Sequence, residues 1–375
     1  MRALILALAI TVAPPALAQQ QPPAASARSA EAEAAAKTSL QQGEGREVAT
    51  KLADKLKGDF VYPEQAAAYA AMLEKNAAGG RYDSGTRGEL VKLLTDDLQA
   101  VHKDGHLHVM LAPPPQSGGD QGGARRGPPP GMAPLIQSAK TIAPGIGYIR
   151  FTAFMGTDEE VAAVRKWLAD NANDKVLIFD LRNHHGGGLD EQDAIFSYIF
   201  ANKTPLVKMA LAKKLYDQGR SPLEASKTLV FAQNGDTMVG THSALPGPAT
   251  ALRHAKIYLL TSNRTASAAE HFSLALKSSA RATLIGEATA GANHFGGAER
   301  LTDNFGVWMP VGRTYDIKTG KDWEGGGIAP DIAVDPKQAL VVALEKAGLS
   351  HAEAVKLDAE EVPAEPVHSD KLRAR

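Results

Sequence analysis

The sequence predicts an α/β fold behind a small helical domain, and three observations support this prediction. From about residue 142 onward, short apolar runs typical of buried strands alternate with amphipathic helical patterns. Before residue 112, apolar residues recur mainly at helical spacing. The 375-residue chain is 44 % hydrophobic, which is enough to build two packed units. In folds that alternate strands and helices, ligands bind at the carboxyl ends of the strands.

Residues 1–18 are predicted to be a secretory signal peptide. Arg2 supplies a positive charge, an apolar stretch follows, and a small-x-small cleavage site ends at Ala18. We expect export to the periplasm or the exterior, with no stable membrane span after cleavage; an uncleaved membrane anchor is the alternative. Residues 19–45, rich in Ala, Gln, Pro and Glu, are expected to form a flexible lead-in.

Residues 46–112 are predicted to form the helical N-terminal domain. Apolar residues spaced by four mark the first helix, and a proline starts the second. Thr86 and Glu89 form a capping box at the start of the third helix, which carries a clear apolar stripe. The proline- and glycine-rich residues 113–135 are expected to be a linker without a core of its own.

Residues 136–350 are predicted to form the α/β domain. A buried strand at 176–180 leads into a glycine-rich loop, and a last helix is expected at 338–347. Residues 207–250 show no clear pattern, so we expect either an insertion or a long β excursion there. Residues 351–375 are expected to be a C-terminal tail.

Composition excludes several classes of function. The formal net charge is −1 and no long segment is strongly basic, which argues against nucleic acid as a partner. The chain has no cysteine, so disulfides, a thiol nucleophile and cysteine-ligated zinc are excluded. The spacing of a nucleotide-binding P-loop is absent as well.

Ser267 is the leading candidate for chemistry. It follows an apolar strand and opens a helix, so its hydroxyl is expected to lie beside backbone N–H groups that have no intrahelical partner. Such N–H groups can stabilise an oxyanion. The same local sequence is also an ordinary capping box, with Ser267 at the N-cap and Glu270 three residues later.

One loop and two side chains could complete a serine-based site. An activated serine needs a base, an orienting carboxylate and oxyanion donors. His106 follows an Asp-Gly turn where a strand begins, and Glu324 precedes three glycines. The loop at 181–188 carries three further glycines, whose N–H groups can face a ligand closely. Asp180 and Arg182 are expected to brace this loop by pairing, and each feature taken alone is also compatible with a surface role.

A zinc site is the competing hypothesis for the histidines. His102 and His106 could share a helical face, and His106 and His108 a strand face. The chain contains no His-Glu-x-x-His pattern and no matching carboxylate spacing. We therefore predict neither a metal nor another cofactor.

Five motifs occur together in a fixed order. The motifs are Gly-Tyr-Ile-Arg-Phe, Asp-Leu-Arg-x-x-x-Gly-Gly, Leu-Thr-Ser-x-x-Thr-x-Ser-Ala-Ala-Glu, Arg-Ala-Thr-x-x-Gly-Glu-x-Thr-x-Gly and Trp-Glu-Gly-x-Gly-Ile-x-Pro-Asp. Combined, they resemble the tail-specific, or C-terminal processing, serine peptidase superfamily, and within it the branch with interphotoreceptor retinoid-binding protein modules and the tricorn protease core. The resemblance covers residues 46–345 and implies a ClpP/crotonase-like α/β core domain preceded by a small helical domain.

The resemblance implies roles for individual positions. Ser267 matches the nucleophile of the family. The N–H of Ala268 and that of Gly186 or Gly187 match the donors of the oxyanion hole. The lysine that activates the serine of the processing proteases would fall at position 292, which is Ala292 here.

The tricorn-like arrangement supplies an alternative to the missing lysine. It uses a histidine before the α/β domain and a glutamate in the Trp-Glu-Gly region, which match His106 and Glu324. Two departures stand out: Gly105 replaces a serine before the histidine, and His184 replaces the usual asparagine of the glycine loop. No segment between residues 111 and 142 has the length of the substrate-tethering PDZ domain.

The expected function is therefore that of an exported serine peptidase. It would hydrolyse peptide bonds of proteins or peptides through an acyl-enzyme, with a Ser267–His106–Glu324 arrangement. The alternative is a non-catalytic binding protein for a hydrophobic ligand on the same scaffold, which the resemblance to retinoid-binding modules permits.

Overall fold

The computed structural model describes residues 24–112 and 134–361. The predicted signal peptide, most of the predicted linker and the end of the C-terminal tail lie outside these described residues. No helix in the described part is both long and apolar enough to cross a membrane.

The described chain alternates helices and strands in the order predicted for an α/β protein with a helical beginning. The α-helices are α1 (Ala24–Lys37), α2 (Glu44–Asp59), α3 (Pro63–Ala78), α4 (Arg87–Val101), α5 (Asp158–Asp170), α6 (Asp190–Ile199), α7 (Lys213–Asp217), α8 (Ala268–Ser278), α9 (Ala339–Lys346) and α10 (His351–Glu360). The strands are β1 (His108–Leu111), β2 (Ile136–Ala143), β3 (Ile146–Phe151), β4 (Val176–Asp180), β5 (Thr204–Ala212), β6 (Leu229–Asn234), β7 (Thr237–Ala244), β8 (Lys256–Thr261), β9 (Thr283–Gly286), β10 (His294–Arg300), β11 (Phe305–Asp316) and β12 (Ile332–Ala333).

A mostly parallel sheet forms the centre of the α/β unit. Its order is β12-β9-β8-β4-β3-β2, with β2 antiparallel to β3 and the other pairs parallel. Every residue of β3 and β4 is buried, as expected for parallel strands covered on both faces. Residues of α5, α6 and α8 share one core with this sheet, and residues of α9 and α10 share another.

A second sheet joins the helical domain to the α/β unit. Its order is β1-β11-β5-β7-β6, with β10 also paired to β11, and all of its pairs are antiparallel. Apolar residues of α2, α3 and α4 share a single core with β11 and β5. The helical domain therefore packs on this sheet rather than on itself alone. Three stretches of residues 207–250, namely 207–212, 229–234 and 237–244, belong to strands of this sheet, which agrees with the β alternative predicted for them.

Two segments are more regular than the sequence suggested. Within the predicted lead-in, α1 packs beside the start of α4: Arg87 N–H donates to Thr38 O at 2.9 Å. Within the predicted tail, α10 begins at a capping box formed by Ser350 and Glu353. The buried Glu361 after α10 accepts from Arg150 at 2.6 Å, which anchors this helix to β3. The alanine-rich composition of residues 19–45 suggested a flexible lead-in, but alanine has the highest helix propensity of all residues, so a helix forms there.

Parallel pairing of β4 with β8 brings two loops together at one edge of the mostly parallel sheet. Asp180 lies opposite Leu260, so the carboxyl ends of both strands reach the same edge of the sheet. The glycine-rich loop after β4 and the turn before α8 are therefore neighbours in space. Arg182 forms a bidentate pair with Asp180, with N–O distances of 2.9 and 2.7 Å, which confirms the predicted bracing of the loop.

Candidate active site

Ser267 occupies a strained backbone position between β8 and α8. Its φ of 56° and ψ of −119° lie in a region that side chains other than glycine rarely adopt. In the described part of the chain, only Ala280 is another non-glycine residue with positive φ. Such a conformation costs about 1–3 kcal/mol and persists only where the surroundings impose it. The turn therefore holds the Ser267 side chain in one direction at the cost of stability.

Glu270 fixes this turn to a second loop. Its buried carboxylate accepts the Ser267 N–H at 2.8 Å, as the capping box predicts. It also accepts the N–H groups of Gly291 and Ala292, at 2.7 and 2.9 Å, and the Thr289 hydroxyl at 2.6 Å. Burial raises the pKa of Glu270 above its ordinary value, while these four donors oppose that shift. Capping and a chemical role for Ser267 are therefore compatible.

The glycine-rich loop lies directly against Ser267. A Cβ placed on Gly186 would lie 2.7 Å from Ser267 Cβ and 3.2 Å from its Oγ. A Cβ on Gly187 would lie 1.8 Å from Phe154 O. The φ angles are 113° at Gly186 and 130° at Gly187, so both the space and the backbone require glycine. The predicted neighbours Ser267, Ala268, Gly186 and Gly187 are thus brought together.

His184 takes over part of the loop's internal hydrogen bonding. The Gly186 N–H donates to His184 Nδ1 at 3.0 Å, and the Ala266 N–H donates to His184 O at 2.9 Å. The ring is fully buried and lies edge-on to Phe154, with 4.2 Å between ring centroids. Burial, together with His185, lowers the pKa of His184 to about 3, so the imidazole is neutral. The Gly186 N–H, one of the predicted oxyanion donors, is therefore engaged within the loop.

If Ser267 is the nucleophile that the sequence predicts, replacing Gly186 by alanine is expected to lower kcat about 100-fold or more. The added methyl group collides with Ser267 and forces an unfavourable φ, and a displacement of about 1 Å at a catalytic group can cost that much. Steady-state kinetics on folded protein measures the effect. Gly235→Ala is the matched control, because Gly235 also has positive φ (58°) but nothing within 4 Å. Equal kcat values for the two variants would contradict the prediction.

His184 is expected to make the protein sensitive to acid. Its folded-state pKa of about 3 lies below the usual 6.5, so the unfolded chain binds a proton first as the pH falls. The stability it contributes is complete above pH 6.5 and is lost between pH 6.5 and 3, at about 1.4 kcal/mol per pH unit. His184→Asn keeps an acceptor for Gly186 and removes this titration. Urea unfolding at pH 7 and 4.5 should show a smaller acid loss for the variant, and an equal loss in both proteins would refute this.

His106 lies in a turn that is held by buried polar groups. Asp104 Oδ1 accepts the N–H groups of His106 and Leu107 at 2.8 and 3.0 Å. Gln99 of α4 donates to the carbonyls of Asp104 and Leu107, at 3.0 and 2.8 Å. The His106 ring stacks on Trp308 of β11, with 6.3 Å between centroids. The imidazole is therefore carried by a rigid turn at the edge of the second sheet.

Glu324 connects the His106 turn to the loop that Glu270 holds. Its Oε1 accepts the Gly105 N–H at 2.8 Å, and its Oε2 accepts the N–H groups of Asn293 and His294 at 2.6 and 3.2 Å. A Cβ on Gly105 would lie 3.1 Å from Ala292 Cβ, so the chain is tightly packed here. Glu270 and Glu324 thus bind consecutive amides of residues 291–294. Together they link the Ser267 turn to the His106 turn.

Asp104 and His294 form a buried pair that no local sequence pattern predicts. His294 Nδ1 lies 2.7 Å from Asp104 Oδ2 and 3.7 Å from Glu324 Oε2. Burial alone would lower the pKa of His294, but the bond and charge of Asp104 outweigh it and raise the pKa. The pKa of Asp104 is lowered because the same pair outweighs its own burial. Asp104 opens the Asp-Gly turn already noted, whereas His294 lies 190 residues away and carries no local signal.

The described residues offer one group with the spacing of metal ligands, namely Asp104, His294 and Glu324. All four of its carboxylate oxygens accept backbone N–H groups or His294 Nδ1. The hydrogen bonds within this group therefore account for its geometry. The zinc site considered from the sequence involved His102, His106 and His108 instead. Of these, His102 and His108 are exposed, and His108 Nδ1 bonds to His106 O at 2.8 Å.

Ser267 and His106 line the same cleft. Its volume is about 1580 Å³, and it runs between the second sheet and the amino ends of α5, α6 and α8. Gly187, Ala268 and Ala292 line it as well. Glu324 lies behind this surface, bound to the backbone next to His106. The cleft is large enough to accept an extended segment of a polypeptide.

The fold and the strained serine define a general class, α/β proteins that present a hydroxyl at a strand–helix turn. Residues 145–334 match the family described as Peptidase family S41, which is just over half of the chain. The chain therefore belongs to peptidase family S41, and the predicted resemblance to the tail-specific serine peptidases is confirmed.

Curated relatives include carboxyl-terminal-processing peptidases. The chain is 30 % identical over 188 residues to the chloroplastic carboxyl-terminal-processing peptidase 1 of Arabidopsis thaliana, covering 50 % of this chain and 33 % of that protein. It is 28 % identical over 207 residues to the carboxyl-terminal-processing protease of a Synechocystis strain, covering 54 % and 42 %. The matched region thus spans less than half of these relatives.

Solved structures support the fold. A Parabacteroides merdae structure aligns with a TM-score of 0.54 at 18 % identity, over 82 % of this chain and 97 % of the other. A lipoprotein from Streptococcus agalactiae aligns with a TM-score of 0.50 at 16 % identity, over 83 % and 99 %. The predicted fold class, a ClpP/crotonase-like α/β core preceded by a small helical domain, is confirmed.

Proposed function

We propose that the protein is a serine peptidase that uses Ser267 as nucleophile and His106 as general base and acid. The observation that carries this proposal is the strained Ser267 backbone, held against a glycine loop in the same cleft as His106. Backbone strain of this kind clusters at active sites, where it orients a reacting group. A capping serine gains nothing from it, because an N-cap residue ordinarily has extended φ and ψ.

The geometry supports a two-step hydrolysis. His106 accepts the Ser267 hydroxyl proton as the oxygen attacks a peptide carbonyl, and the N–H groups of Ala268 and Gly187 receive the developing oxyanion. Collapse breaks the C–N bond, and His106 returns the proton to the leaving amine. A water molecule then hydrolyses the acyl-enzyme by the same route. Glu324 and Asp104 hold the turn that presents His106.

Two other residues are less suited to be the base. Position 292 is Ala292, which has no titratable group, so the serine–lysine dyad of the processing proteases is not available. His294 also lines the cleft, but its Nδ1 is engaged by the buried Asp104, which raises the pKa of the ring, and His106 is the histidine that matches the family arrangement. His106 is therefore the base that we assign.

Hydrolysis of an unfolded protein tests the proposal. Purified protein should release peptides from fluorescein-labelled, unfolded casein, and Ser267→Ala should not. Activity should persist in EDTA. Release that is equal in the wild type and in Ser267→Ala, or that EDTA abolishes, would overturn the serine mechanism. The carrier alternative gains no support from the site, since binding a hydrophobic ligand requires no strained hydroxyl.

We also propose that the protein is exported, because residues 1–18 have the composition of a signal peptide. Expressed in a Gram-negative host, the protein is expected in the periplasmic fraction with an N-terminus near residue 19. Mass spectrometry of the purified chain measures this. Retention of residues 1–18 on cytoplasmic protein would contradict it.

A further inference from the structure

Gln192 is a buried side chain that the reaction scheme does not use. It lies in the first turn of α6 and is fully buried. Its Nε2 donates to Gly188 O at 3.1 Å and to Ala268 O at 3.0 Å. Both partners are carbonyl oxygens, which can only accept hydrogen bonds. The NH₂ group of the Gln192 amide, rather than its oxygen, must therefore face them.

The Gln192 amide both stabilises and destabilises the folded state, because its NH₂ group is hydrogen-bonded but its oxygen is not. Gln192 Oε1 is buried and has no hydrogen-bond partner among the described residues. A buried acceptor without a partner costs free energy that an apolar side chain would avoid. Gln192 is therefore better explained by what its NH₂ group connects than by core stability.

The two carbonyls belong to the two segments that carry the proposed oxyanion donors. Gly188 ends the glycine-rich loop next to Gly187, and Ala268 is the first residue of α8. Gln192 spans these segments, so it fixes the separation between the N–H groups of Gly187 and Ala268. An oxyanion hole depends on such donors being held at hydrogen-bond distance from the developing charge.

A second connection keeps α6 against α8 independently of Gln192. Asp193 Oδ1 lies 2.8 Å from His242 Nε2, and His242 Nδ1 lies 2.8 Å from His271 Nε2 of α8. The apolar core beneath these helices is shared as well. Loss of the Gln192 amide is therefore expected to shift the two loops locally while the fold persists.

We infer that Gln192 is a positioning residue for the oxyanion hole. The inference rests on the proposed function, since it assigns to Gln192 the spacing of donors that a serine peptidase needs. Gln192 touches neither the substrate nor the reacting atoms and acts through Gly187 and Ala268.

Kinetics of Gln192→Met and Gln192→Glu test this role. Both variants remove the double donor at similar side-chain volume, and kcat should fall about 10- to 100-fold while KM changes less than about threefold. In Gln192→Glu, a buried carboxyl regains one O–H donor when protonated, so its activity relative to wild type should rise as the pH falls. Circular dichroism confirms folding. Asn171→Ala is the control, because Asn171 is a buried amide that donates to Trp167 O at 2.8 Å, at the end of α5.

The outcomes separate this inference from the proposed function. If the wild type shows no Ser267-dependent hydrolysis, the proposed function fails. If the wild type is active and a folded Gln192→Met or Gln192→Glu keeps its kcat, only the role of Gln192 is refuted. A fall in kcat equal to that of Asn171→Ala would also refute it, since a general loss of packing would then explain the effect. Should Gln192→Met not fold, the pH profile of Gln192→Glu decides.

Discussion

Replacing Ser267 by alanine is expected to abolish hydrolysis, with a loss in kcat on the order of 10⁶-fold. Removing the nucleophile of a catalytic triad costs about this much, because the remaining groups cannot form the acyl-enzyme. The fold should persist, since the backbone of Ser267 holds the turn: its N–H donates to Glu270, and its carbonyl accepts the N–H groups of Glu270 and His271. Kinetics with an internally quenched peptide measures the loss, and residual activity above about 1 % of wild type would contradict the assignment.

The same position allows a test of backbone strain. Ser267→Gly is expected to be more stable than Ser267→Ala by about 1 kcal/mol, because glycine adopts positive φ without strain but loses more entropy on folding. Urea unfolding of the two inactive variants measures the difference. A more stable alanine variant would show that the turn is unstrained.

Replacing His106 by glutamine is expected to lower kcat by about 10⁵- to 10⁶-fold, the second largest effect. Glutamine cannot accept the Ser267 proton, and loss of the general base of a triad costs nearly as much as loss of the nucleophile. Kinetics over pH 5–9 measures the loss at each pH. A variant that keeps the wild-type pH profile at high activity would assign the base elsewhere.

Glu324→Gln provides the comparison for His106. Glutamine can still accept the Gly105 N–H, but its NH₂ group would face the N–H groups of Asn293 and His294. The turn should shift without losing the imidazole, so kcat is expected to fall only about 10- to 100-fold. A loss as large as that of His106→Gln would mean that Glu324 acts on the imidazole directly.

The sequence predicts the part of the site that local patterns encode. Ser267 follows an apolar strand and begins a capping box, and the glycines of its neighbouring loop follow another buried strand. Parallel strands end at one edge of a sheet, so the approach of Gly186 to Ser267 follows from these patterns. The capping box at Thr86 likewise predicts where α4 begins.

Long-range contacts account for what the sequence does not predict. Asp104 pairs with His294, and Gln192 reaches Ala268, across 190 and 76 residues. Neither pair has a local periodicity, because each depends on how two sheets and their loops pack. The strain at Ser267 is likewise invisible in composition, since serine is a favourable residue at ordinary helix starts.

Covalent labelling with a fluorophosphonate tests the central claim most directly. The account predicts one adduct per folded chain, located on Ser267 within the tryptic peptide 265–277, and absent from Ser267→Ala and from denatured protein. The peptide also contains Ser273, so fragment spectra must place the adduct. A folded, active wild type that carries no adduct, or an adduct that persists in Ser267→Ala, would contradict the account.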